Sequence, residues 1–148
     1  MGFPPTGNRV RQFETGATRS VDDDKLDYEG FFSPLVVHRF GEYMHKHRVQ
    51  ADGQRRASDN WQKGIPKSSY LKSLWRHFLD VWLYHRGYGS TATESLEDAL
   101  CGILFNAQGY LHEILHAFPP SIHPPGSSAP LNFPKYPLGY LRVPDRTQ

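Results

Sequence analysis

Two runs of apolar residues at helical spacing, each cut off by a helix-ending signal, constrain this chain more than any other feature. Between Ser68 and Gly87, residues Leu71, Leu74, Trp75, Phe78, Val81 and Trp82 recur three and four apart. That spacing sets side chains on one face of an α-helix and predicts a wide core face there. The second run is Leu96, Leu100, Ile103, Leu104, Leu111, Ile114, Leu115 and Phe118, and it stops at Pro119-Pro120. A proline lacks the amide that would continue the helix. Thr91-x-x-Glu94 reads as a capping box that opens this helix. A helix is also expected upstream, because Ser33-Pro34 offers an N-cap followed by proline at the first helical position. Val36, Phe40, Met44 and His47 continue it to about Arg48. Strands are demanded nowhere. The expected fold is all-α: a helical bundle of three main helices whose apolar faces favour completion by oligomerisation, as a dimer or tetramer.

At 148 residues the chain fits one domain, with residues 1–30 as an irregular polar arm, 31–118 as the helical core and 119–148 as a proline-rich tail. In the arm, Asp22-Asp23-Asp24 reads as a solvated loop. Residues 50–67 form a loop rich in Gly, Ser, Asp and Arg that carries Trp61. A tryptophan in a polar loop must either tuck back into the core or stack on a ligand.

Seventeen Lys/Arg against fifteen Asp/Glu leave a net charge of +2, too balanced for a nucleic-acid coat protein. Basic residues nevertheless gather between Lys46 and Arg76, and acids at Glu94–Asp98. The one cysteine, Cys101, allows no internal disulfide and fits a reducing compartment. It is expected in the core. No stretch approaches the roughly 20 apolar residues of a membrane span. A cytoplasmic protein is expected, in a host's cytoplasm if the chain is viral, with no membrane or direct nucleic-acid partner.

Two constellations carry possible chemistry. The first comprises Glu42, Glu94, Glu97 and Asp98, with His77 and Asp80 nearby. On a helix, positions 94, 97 and 98 share a face. Carboxylates crowded there repel unless something compensates, and magnesium prefers such oxygen ligands. The plainer alternative has Glu94 capping the helix while Glu97 and Asp98 face solvent. The second constellation is His112-Glu113-Ile114-Leu115-His116, a literal H-E-x-x-H of the kind that binds zinc in metallopeptidases. Its extended form fails here, since Pro119 and Ile122 stand where a glycine and a third histidine are required. Phosphate loops, dinucleotide fingerprints, nucleophile elbows and the His-Asp dyad are all absent from the sequence.

Three strings occur in order: Ser58-Asp59-Asn60-Trp61-Gln62-Lys63-Gly64-Ile65-Pro66, Ser73-Leu74-Trp75-Arg76-His77, and Glu97-Asp98 followed by residues 99–105 and Asn106. With Gly16-Ala17-x-Arg19 and Lys25, they resemble the phage dATP/dGTP diphosphohydrolase (MazZ-like) family, related to the MazG-like nucleoside triphosphate pyrophosphohydrolases. The resemblance spans roughly residues 16–113. It implies an all-helical oligomer that hydrolyses a deoxypurine triphosphate, dGTP or dATP, to the monophosphate and pyrophosphate, an activity tied in such phages to 2-aminoadenine DNA synthesis.

The resemblance also implies a Mg2+ cofactor, with Mn2+ able to substitute. Glu42, His77, Glu97 and Asp98 take the catalytic positions. Metal ligands are drawn from Glu42, Asp80, Glu94, Glu97 and Asp98, and substrate contacts from Arg19, Lys25, Asn60, Trp61, Lys63 and Asn106. Two departures stand out. Position 45 is His where the wider pattern has an acid, and Leu100 stands three residues after Glu97. The rival readings are a zinc peptidase built on His112, Glu113 and His116, and a non-catalytic nucleotide-binding helical module.

Overall fold

A computed structural model describes residues 9–21 and 26–117, and its contacts divide the chain into one unit up to Ser33 and another from Pro34 onward. The described chain is mostly helical, as the apolar spacing predicts. Lys25, the acidic run at 22–24 and the tail at 119–148 lie outside the described residues.

The first unit corrects the expectation of a wholly irregular arm. Strand β1 (Arg9–Gln12) pairs antiparallel with β2 (Thr18–Val21), in a register that sets Arg11 opposite Arg19 and Gln12 opposite Thr18. The turn explains why these short polar segments pair. Gly16 donates to the Phe13 carbonyl at 2.9 Å, and Phe13 donates to Ala17 at 2.9 Å. Gly16 has φ 81°, the left-handed geometry that closes a bulged hairpin loop and that glycine reaches without strain. Each strand has only four residues, too few for alternation to reveal it. The short helix α1 (Tyr28–Phe31) follows, with the Asp27 carboxylate capping Gly30 N–H at 2.9 Å.

In the second unit, α2 (Pro34–Lys46) begins on its proline as expected. Helix α3 (Lys67–His85) ends in a Schellman motif. There Tyr88 donates to Leu83 and Gly87, at φ 83°, donates to Tyr84. Helix α4 spans Leu96–Ala117. Its cap lies four residues beyond the expected one, Thr91. Ser95 Oγ accepts from Asp98 N–H at 3.2 Å and so caps the helix instead. Thr93 and Glu94 are drawn away from the helix end by two residues of α3. Asp80 accepts from the Thr93 amide at 3.1 Å and its hydroxyl at 2.6 Å, and Glu94 pairs with His77.

Helices α3 and α4 run antiparallel, and the faces that meet are not the most apolar ones. On α4 the contact stripe is Ala99, Gly102, Asn106 and Gly109, all buried. The two glycines let rings of α3 approach the backbone, with His77 over Gly102 and Tyr70 over Gly109. The polar stripe of α3, residues 73, 77, 80 and 84, therefore faces inward. Of the expected core face, Leu71, Trp75, Phe78 and Trp82 are exposed, Trp75 at 65%. Leu100, Leu104 and Leu111 of α4 are exposed as well. Burial of small and polar groups permits close helix contact, and it leaves the large apolar side chains outside. Helix α2 packs on the beginning of α4 through buried Tyr43 and the cations Arg39 and Lys46. Among the described residues no helix is long and apolar enough to cross a membrane.

Candidate functional site

The end of α2 and the loop that follows it build one wall of a cavity of about 280 Å³. Arg56 N–H donates to the Arg48 carbonyl at 2.8 Å, and Arg48 Nε donates back to the Arg56 carbonyl at 2.9 Å. A bridge between Val49 and Arg55 lies inside that pair, and Gly53 turns the chain at φ 78°. The chain then runs through a short 3-10 turn (Asn60–Lys63) that presents Trp61. Glu113 of α4 holds the far end of this segment by accepting from Ile65 N–H at 3.1 Å.

Trp61 tucks back against α4, the first of the two alternatives, and keeps a surface on the cavity. Its ring packs edge-on against Phe105 and His112, at centroid distances of 6.3 and 4.9 Å, and it also lines the cavity. The lining also includes Tyr43, Met44, Phe105 and Ile65, with the polar side chains of His47, Ser58, Asn60, Ser73, His77 and Asn106. Asn106 is 3% exposed and anchored by its amide to the Gly102 carbonyl at 2.7 Å. Burial, with the charges of Glu94 and Asp98 behind it, pushes the Tyr43 hydroxyl up to about 12.

Four sequence-derived candidates thus come together in one cavity: Asn60, Trp61, His77 and Asn106. Lys63 ends the 3-10 turn and is not part of the lining. Arg19 lies on β2 in the other unit. Arg48 and Arg56 line the cavity, although no motif singled them out. The only sequence signal for them is the basic bias between Lys46 and Arg76.

The acidic candidates are not part of the lining. Arg39 Nε pairs with Glu97 at 2.8 Å, Arg39 Nη2 with Asp98 at 2.6 Å, and Lys46 Nζ with the other Asp98 oxygen at 2.8 Å. Lys46 and Arg39 hold the Asp98 carboxyl below the usual carboxylate range, and hydrogen bonds to Glu97 and Asp98 raise the Arg39 guanidinium still further. Asp80 is 3% exposed and ties down Thr93. Glu94 pairs with His77 Nδ1. Glu42 is exposed, with His38 at 3.9 Å. Among the described residues no three His, Cys, Asp or Glu side chains converge on one point.

The H-E-x-x-H residues are engaged structurally. Glu113 binds the Ile65 amide, His112 packs on Trp61, and the His112 and His116 rings stack at 5.8 Å. Cys101 is buried as expected, and burial pushes its thiol up. The chain matches no protein-family model, no curated protein and no solved structure.

Proposed function

We propose that this protein is a nucleoside triphosphate pyrophosphohydrolase that converts a deoxypurine triphosphate, dGTP or dATP, to the monophosphate and pyrophosphate. The observation that carries the reading is the convergence of Asn60, Trp61, His77 and Asn106, from three separate segments, on one cavity. Aromatic rings with a few placed amides suit a planar base. A volume of about 280 Å³ is near the lower end of ligand pockets, roughly 300–1,000 Å³. It suits a base whose phosphates extend to the rim.

Magnesium belongs to the proposal through the resemblance alone, with Glu97 and Asp98 as its leading donors. These two carboxylates are held by Arg39 and Lys46. Tyr43 lies between Arg39 and Lys46 on α2 and also lines the cavity, which sets the charged cluster beside it. Assembly as a dimer or tetramer is part of the same proposal and is supported by the exposed apolar stripes of α3 and α4.

The test is incubation with each dNTP and magnesium, scored for monophosphate and pyrophosphate. Turnover of a purine dNTP, lost in a Glu97→Ala/Asp98→Ala double variant and kept in His116→Ala, supports the reading. No turnover of any dNTP overturns it. The salt bridges on Glu97 and Asp98 favour a second reading, a nucleotide-binding module without catalysis. That reading predicts saturable binding with no pyrophosphate.

A further inference from the structure

We propose that Arg48 and Arg56 form the anion-binding wall of the cavity and take the phosphates of its ligand, so that the site selects nucleotides over nucleosides. This rests on the reading of the cavity as a nucleotide site. Neither arginine lies in the strings that carry the family resemblance.

The lining of the cavity contains no Asp or Glu, yet it contains both arginines. Two like charges on one rim repel each other, and an incoming anion relieves that cost. The loop that carries them is closed at its base by the Arg56 amide on the Arg48 carbonyl, at 2.8 Å, and by Arg48 Nε on the Arg56 carbonyl, at 2.9 Å, and both residues line the cavity.

The donors are also unspent. Arg48 uses only Nε, and the Arg56 guanidinium has no partner among the described residues. Three other arginines of this unit are committed: Arg39 to Glu97 and Asp98, Arg55 to His45, Arg76 to Ser73. A guanidinium fork matches the geometry of phosphate oxygens and binds them by charge-assisted hydrogen bonds. The Trp61 and Phe105 rings then take the base, while the two arginines hold the charged end.

Calorimetry on the full chain in EDTA, with deoxyguanosine, dGMP and dGTP, tests this without requiring turnover. We expect dGTP to bind at least about tenfold more tightly than deoxyguanosine. Arg56→Gln should weaken dGTP by about ten- to a hundredfold and leave deoxyguanosine within about twofold, since a charged hydrogen bond is worth that much. The Arg56 side chain makes no bond within the described chain, so the variant should melt at the wild-type temperature and exclude unfolding as the cause. Arg48→Gln should act in the same direction. Equal affinity for nucleoside and triphosphate overturns the proposal, as does wild-type dGTP binding in both variants.

The two readings fail separately. Binding of dGTP that depends on Arg56, with no pyrophosphate released under magnesium, sustains the anion wall and sinks the catalytic reading. Pyrophosphate release with an unchanged KM in Arg56→Gln does the reverse.

Discussion

The imidazole of His77 lies directly over Gly102. A methyl group built on that glycine would come within 2.5 Å of His77 Nδ1. Glycine in a helix interior ordinarily costs stability, and alanine recovers about 1 kcal/mol. Here the sign reverses. Gly102→Ala should lower stability by about 1–3 kcal/mol, the usual cost of overpacking. It should also displace His77 from Glu94 and from the cavity. Denaturant unfolding together with dGTP calorimetry checks both effects, and a stabilised variant would show that the two helices can separate freely.

Tyr70 is 2% exposed, and its hydroxyl has no hydrogen-bond partner among the described residues. A buried hydroxyl without a partner costs about 1–3 kcal/mol. Tyr70→Phe keeps the ring over Gly109 and removes the orphan. We expect it to raise stability by up to about 1 kcal/mol. A loss of that size in thermal melts would mean that the hydroxyl is bonded in solution.

The Asp98 carboxyl is held low by Lys46 and then by Arg39. A folded-state value below the unfolded one, about 3.9, means that stability is fully present above the unfolded value and is lost as pH falls through the folded one. The wild type should therefore lose stability on acidification below about pH 4. Lys46→Gln and Asp98→Asn should each be less stable near neutrality and show a shallower acid limb. Unfolding midpoints measured across that range decide it, and an unaltered acid limb in both variants would remove Asp98 as a contributor.

Trp75, Phe78 and Trp82 are exposed on α3, and Leu100, Leu104 and Leu111 on α4. Isolated surface apolar groups are ordinary, whereas large exposed apolar patches mark contact surfaces, and self-association is the proposed use of these side chains. A stable interface buries about 800 Å² per partner. Sedimentation should show concentration-dependent association, and Trp75→Glu should shift it toward monomer with the helix content kept. A monomeric wild type at all concentrations would leave these side chains without the proposed partner.

Much of the helical layout was legible in the residues, since the three-and-four spacing and the Pro34 and Gly87 signals mark real helix ends. The capping residue of α4 was not. Thr91 and Ser95 are both plausible caps in sequence, and the choice fell to Asp80 and His77, which engage Thr93 and Glu94 from α3. The hairpin at residues 9–21 was also hidden, because its information sits in one turn glycine rather than in any periodicity.

The sequence by itself determined that the chain is mainly helical and that Cys101 is buried, while the family resemblance singled out Asn60, Trp61, His77 and Asn106 among a wider set of candidates. Tertiary structure alone decided which face of each helix turns inward. Gly102 and Gly109 permit a backbone approach that large apolar residues would block, so the polar stripe of α3 turns inward while Leu71, Trp75, Phe78 and Trp82 stay exposed. It also decided that Glu97 and Asp98 meet Arg39 and Lys46, and that Arg48 and Arg56 join the cavity. Contacts of that kind link residues 50 or more positions apart or depend on how a loop closes. Spacing along a chain records which side chains share a helix face, and it carries no record of what that face will meet.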